Sequence, residues 1–194
     1  MIKPITLPLF KAPAATRGTH QLLHSSKSND WYTPAAYIEA ARHVLGGIDL
    51  DPASCELANV TVRAAALFTE ADNGLTQPWR GRVWLNAPYG RINGKSGQQL
   101  FSEKLISEYR AGNVTSAIML CNAATDCKWF HPLWQYAICF TDHRIKFVSP
   151  TNEKAKQPTH GSAFIYLGHA PETFIDAFSV FGHVVQAAVK ASAP

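Results

Sequence analysis

Apolar positions along the chain alternate between a helical period and short continuous runs. Ile38, Ala41, Val44 and Leu45 recur at helical spacing behind Thr33-Pro34. That pattern predicts a helix with Thr33 as N-cap, Pro34 at its first position and Gly46-Gly47 as its stop. Ile48-Asp49-Leu50-Asp51 predicts a short strand running into Pro52, and Arg82-Val83-Trp84-Leu85 a second, set between Gly81 and Asn86-Ala87-Pro88. Residues 98–110 predict an amphipathic helix with Leu100, Phe101, Leu105 and Tyr109 inward, ending at Gly112. Residues 114–120 read as a buried strand, and 126–134 as helical until Pro132 disturbs the pattern. Three further strands are expected at 136–140, 145–148 and 163–167. A last helix is expected over 171–185, with Phe174, Phe178 and Phe181 on one side. Such alternation of strand and helix argues for an α/β sheet that takes its ligands at the carboxyl ends of its strands.

Composition bounds this picture. At 194 residues and 46% hydrophobic, the chain suits one globular domain with a real core. No apolar run approaches the roughly 20 residues of a membrane span, and Pro4, Pro8 and Pro13 interrupt the apolar stretch near the N-terminus. The expectation is a soluble, cytoplasmic protein with no membrane partner. Cys55, Cys121, Cys127 and Cys139 fit no zinc spacing and read as reduced, buried thiols. The eight histidines are scattered along the chain, and no metal is expected. The net charge of +4 is local: residues 1–29 hold Lys3, Lys11, Arg17 and Lys27 with no acid, leaving 14 basic against 14 acidic residues in the rest. Residues 1–29 therefore read as a flexible basic arm, and residues 30–194 as the folded domain.

The most informative segment is Leu85-Asn86-Ala87-Pro88-Tyr89-Gly90. It sets a carboxamide, a backbone carbonyl, a rigid proline and an aromatic ring at the end of a strand. Such a set suits a planar conjugated amine, whose lone pair is a poor nucleophile until acceptors draw on its protons. The Asn86 side-chain oxygen and the Ala87 carbonyl are candidate acceptors, and Tyr89 a platform for an extruded base. The same run also reads as an ordinary strand-terminating turn. Asp49 and Asp51 leave a strand where such a sheet receives its ligand. Asp49 reads equally well as a helix cap or a salt-bridge partner.

Leu85 to Tyr89 resembles the (Asp/Asn)-Pro-Pro-Tyr motif of amino-methyltransferases. The wider chain resembles the phage-type, Dam-like DNA N6-adenine methyltransferases. The similarity runs through Asp30-Trp31-Tyr32-Thr33-Pro34, Gly47 to Ser54, Asp72-Asn73-Gly74-Leu75, Trp79 to Asn86, Thr125 to His131, Arg144-Ile145-Lys146-Phe147 and Thr159 to Ala163. The resemblance implies a Rossmann-like S-adenosylmethionine-dependent methyltransferase sheet with helices on both faces. It implies S-adenosylmethionine as cofactor and double-stranded DNA as partner. Asn86, Ala87, Pro88 and Tyr89 would then be catalytic. Asp51-Pro52-Ala53-Ser54 stands for the cofactor loop, without its usual glycines. Tyr32, Thr33 and Pro34 resemble the segment closing over the methionine end, and Asp72 is a candidate for the adenine end. Ala87 stands where the family has its first proline; the carbonyl survives, while loop rigidity worth up to about 1 kcal/mol is lost.

Two polar stretches are candidates for the DNA surface. One is 91–99, with Arg91 and Lys95; the other is 144–160, with Arg144, Lys146 and His160. Gly94-Lys95-Ser96 does not form a phosphate loop, because Gly90 stands one residue too close. The rivals that stay open are an amino-methyltransferase acting on RNA or a protein glutamine, and a catalytically weakened DNA-binding homologue. The number of subunits and the recognition sequence are left open.

Overall fold

A computed structural model describes residues 32–148 and 159–187. The basic arm expected over 1–29, and Lys154 and Lys156 of the second polar stretch, lie outside them. The elements run α1 (Ala35–Leu45), β1 (Leu50–Asp51), α2 (Glu56–Val62), β2 (Ala66–Leu67), β3 (Gly81–Asn86), β4 (Arg91–Ile92) and β5 (Lys95–Ser96). There follow α3 (Gly97–Arg110), β6 (Val114–Asn122), a 3-10 helix (His131–Gln135), β7 (Ala137–Thr141), β8 (Ser162–Leu167), α4 (Pro171–Phe178) and β9 (Gly182–Val185). No helix among the described residues is long and apolar enough to cross a membrane.

Seven strands form one mixed sheet in the order β2-β1-β3-β6-β8-β7-β9, with β4 and β5 a separate hairpin. β2, β1, β3 and β6 are parallel, and β8 inserts antiparallel between β6 and β7. The strands bury both faces, which explains their continuous apolar runs. Trp84, Ile118, Leu120, Phe164 and Tyr166 point to the side covered by α1 and α4. Val83, Leu85, Met119, Cys121 and Ile165 point to the side covered by α3. Helices therefore cover both faces of an α/β sheet, as the sequence predicts.

At its amino end the sheet is tied by one cation. The Arg82 guanidinium donates to Asp49 Oδ2 (2.8 Å) and Oδ1 (2.6 Å), and to the carbonyl of Gly46 (2.5 Å), the C-cap of α1. A positive charge there also suits the negative end of the helix. The approach demands glycine at 81: φ is +73°, and a Cβ would stand 2.6 Å from Asp49 Oδ2.

Several local expectations change. α1 starts at Ala35 with Pro34 as its cap, so Thr33 does not cap it. Residues 145–148 form no strand; their one pairing is a bridge between Val148 and Tyr32. Pro132 opens the 3-10 helix rather than disturbing an α-helix. The last helix stops at Phe178, and 182–185 pair with β7 instead. Gly182 opens that strand: a Cβ would lie 2.0 Å from the Phe140 carbonyl, so only glycine lets the chain close against β7. Cys121 and Cys139 are buried free thiols, whereas Cys55 and Cys127 are only half-buried.

The ion pair carries a prediction. Hydrogen bonds from Arg82 hold the Asp49 carboxyl below its ordinary range. Its stabilisation is present above that range and lost as pH falls through the depressed value. Both side chains are over a third exposed, so the pair is worth about 1 kcal/mol or less. Asp49→Asn is expected to lose that amount at pH 7 in urea unfolding, with the difference closing below about pH 4.

Candidate active site

In an open parallel sheet, the ligand crevice lies outside the carboxyl ends of the strands, where the chain order reverses. Here that point falls between β1, whose next neighbour outward is β2, and β3, whose next neighbour is β6. A cleft of about 730 Å³ opens there, within the usual span for a small-molecule site. Asp51, Ala53, Ser54 and Cys55 enter it from the end of β1. Thr69, Glu70 and Ala71 enter from beyond β2, and Asn86, Pro88, Tyr89 and Gly90 from the end of β3. Tyr32 and Thr33 close the lip, while Ala58, Val62 and Trp84 give an apolar wall.

Asp51 sets the electrostatics. It is only 3% exposed, and burial pushes its carboxyl up to about 6, against a smaller opposing hydrogen bond from the backbone N–H of Ala53. Among the described residues no lysine or arginine pairs with it. A carboxylate so placed calls for a ligand that brings positive charge or hydroxyl donors. Beside it, the buried Thr33 Oγ1 has no hydrogen-bond partner among the described residues. Freed from the capping role, that hydroxyl is available to a ligand.

Tyr89 has an open face and a buried end. The residue is 39% exposed, yet desolvation, with Cys121 adding to it, drives its phenol upward. Phe147, almost fully buried, meets the Tyr89 ring edge-on, with centroids 6.2 Å apart and planes at 77°. Phe147 is held in turn by its neighbours. Ile145 is buried in the core, and Val148 exchanges backbone hydrogen bonds of 2.9 and 2.8 Å with Tyr32. The lip of the cleft and the wall behind Tyr89 are thus one piece. Burial pushes the Cys121 thiol far up, which keeps it neutral and unsuited to nucleophilic attack.

Of the residues expected from sequence, Tyr32, Thr33, Asp51, Ser54, Asn86, Pro88 and Tyr89 meet in this cleft. Pro34, Pro52 and Ala87 adjoin it, Ala87 being fully buried in the core below. Two do not belong to it. Asp49 lies before β1, at the opposite end of the sheet, with its carboxylate taken by Arg82. Asp72 faces away, its Oδ2 accepting the backbone N–H (2.8 Å) and hydroxyl (2.7 Å) of Thr69. The acid that enters beside Asp51 is Glu70, which the sequence reading missed. Its signal was its spacing: an acid about 20 residues past the first strand is where such sheets hold a ribose. Arg91 and Lys95 sit on the β4–β5 hairpin, and Arg144, Lys146 and His160 are exposed.

An open α/β sheet with an acid-lined cleft at its switch point defines a protein that binds a nucleotide-like cofactor. Residues 20–190 match the family described as DNA N-6-adenine-methyltransferase (Dam). The chain belongs to that family: it is a DNA adenine methyltransferase, and the cofactor of the family is S-adenosylmethionine. No curated protein and no solved structure gave a match.

Because the Asp51 carboxyl is raised in the fold, the unfolded chain ionises it first. The ligand-free protein therefore loses stability as pH rises from about 4 towards 6, and the loss persists above. Asp51→Asn is expected to stabilise the ligand-free protein by roughly 1–3 kcal/mol at pH 7.5, seen as a Tm several degrees higher. The gain should vanish near pH 4. Calorimetry of the same variant is expected to show S-adenosylmethionine binding lost.

Proposed function

We propose that this cleft methylates the exocyclic amine of an adenine extruded from double-stranded DNA, with Asn86 and Ala87 as acceptors and Tyr89 as the stacking platform. The observation that carries the reading is that Asn86 and Asp51, from the adjacent parallel strands β3 and β1, line one cleft.

The residues present fit S-adenosylmethionine. Asp51 offers the buried anion for an ammonium or ribose group, Glu70 a second acceptor, Thr33 an unused hydroxyl, and Ala58, Val62 and Trp84 an apolar wall. When bound, it supplies a methyl group on a sulfonium, whose C–S bond breaks as the N–C bond forms and leaves a neutral thioether.

The protein's own task is to make the amine a nucleophile. The Asn86 carboxamide oxygen and the Ala87 carbonyl accept the two amine protons. That biases the nitrogen away from conjugation and towards attack. Tyr89 stacks on the purine and fixes its plane, so the lone pair is aimed before reaction rather than during it. The nitrogen sheds one proton to solvent after transfer. No side chain attacks, and no covalent enzyme intermediate is required. Burial of Ala87 restrains the loop that a proline would otherwise stiffen.

Removing the amide acceptor separates binding from chemistry. Asn86→Ala is expected to lower transfer of tritiated methyl to unmethylated DNA by about 100-fold, with cofactor affinity held. Equal loss of both would point to misfolding. Label appearing in RNA or protein rather than in DNA adenine would overturn the assignment of substrate to this cleft.

A further inference from the structure

Directly after Tyr89 the chain makes a device that methyl transfer itself does not need. β4 and β5 pair antiparallel, Arg91 with Ser96 and Ile92 with Lys95, across a two-residue turn. Asn93 and Gly94 both take positive φ, 49° and 79°, the geometry of a tight Asn-Gly hairpin turn. The Arg91 side chain locks the tip, donating from Nε (3.0 Å) and Nη2 (2.6 Å) to the Gly94 carbonyl. A six-residue hairpin would fray alone; this one is braced.

Its root is as firm as its tip. Gly97 donates its N–H to the Gly90 carbonyl (2.8 Å), closing the base of the hairpin. At Gly97 a Cβ would lie 2.6 Å from the Pro88 carbonyl, so α3 starts hard against the catalytic loop. Gly90 lines the cleft, while Arg91, Asn93, Gly94 and Lys95 are exposed, with open space around Gly94. A rigid polar finger therefore stands at the mouth of the base pocket and cannot move independently of it.

We propose that this hairpin is a wedge for duplex DNA: the Asn93 side chain enters the stack where the target adenine leaves, while Lys95 neutralises a flanking phosphate. The inference rests on the reading that adenine is drawn out of the helix towards Asn86 and Tyr89. Extrusion leaves a gap one base thick and an orphaned partner base, and the cost falls on the enzyme unless something fills the space. Two strand residues beyond Gly90 carry the tip about 7 Å outward, roughly two base steps. A carboxamide presents both a donor and an acceptor to whichever edge the orphaned base offers.

The test compares native with heat-denatured unmethylated genomic DNA, using tritiated S-adenosylmethionine and the full chain. Asn93→Gly keeps the turn, since glycine accepts positive φ, and removes only the side chain. Asn93→Asp keeps the shape and adds a charge that duplex phosphates repel. For both, the ratio of kcat/KM on native to denatured DNA is expected to fall about tenfold. An unchanged ratio, or a wild-type enzyme that labels only denatured DNA, overturns the wedge. Should Asn86→Ala keep full turnover, the pocket on which the wedge rests is what fails.

Discussion

Burying a carboxylate without a cation beside it is costly, and this fold does so at the point where β1 and β3 diverge. Asp51 is shut in by the sheet, and the groups around it offset only part of that cost. The rest of the cleft follows from the same placement. A two-residue β1 ends abruptly, so the chain must turn over the sheet edge at Pro52, and Ala53, Ser54 and Cys55 form the wall it leaves. Ligand-free, the site is a local weak point; a ligand bearing positive charge turns that weakness into affinity.

The two ends of the sheet carry two acids with opposite fates. Asp49, two residues before Asp51, is satisfied by Arg82 and joins α1 to β3. Asp51 lines the cleft with no lysine or arginine paired to it among the described residues. A strand's alternation alone would put both on the same face; what separates their roles is which end of the sheet each one reaches. The structural acid holds β1 in register against β3, and that register brings Asp51 level with the cleft that Asn86 enters.

The cleft and the hairpin beside it are coupled by short covalent and packing paths. Asn86 to Gly97 is one continuous run of carboxamide, aromatic ring and braced hairpin, pinned by contact of α3 with the Pro88 carbonyl. On the other side, Phe147 supports Tyr89 while Val148 bridges to the lip residue Tyr32. Ala87 stands where the family motif has a proline, and it is fully buried. The backbone there is held by burial rather than by a ring.

Much of this was legible in the order of residues. Strands β3, β6 and β8 and helix α3 announced themselves because their apolar periods are long and unambiguous, and Asn86 to Tyr89 drew notice by sitting at the end of one of them. The elements that were missed are short. β2 spans two residues and α2 seven, too few for any period to register, so Glu70 behind them went unassigned. The turn from α4 into β9 was hidden for another reason: Phe181 and the valines extend the helical stripe, and what draws 182–185 out of it is their pairing with β7.

By itself the sequence determined the alternating architecture, the motif at the end of β3 and the family to which the chain belongs, since each is carried by local pattern and residue type. Tertiary structure alone decided which acids line the cleft, that Thr33 lines it too instead of capping a helix, and that a polar loop is a braced hairpin. Those outcomes depend on which strand ends lie side by side and on what each side chain finds across the sheet. Contacts between residues distant in the chain have no period to read.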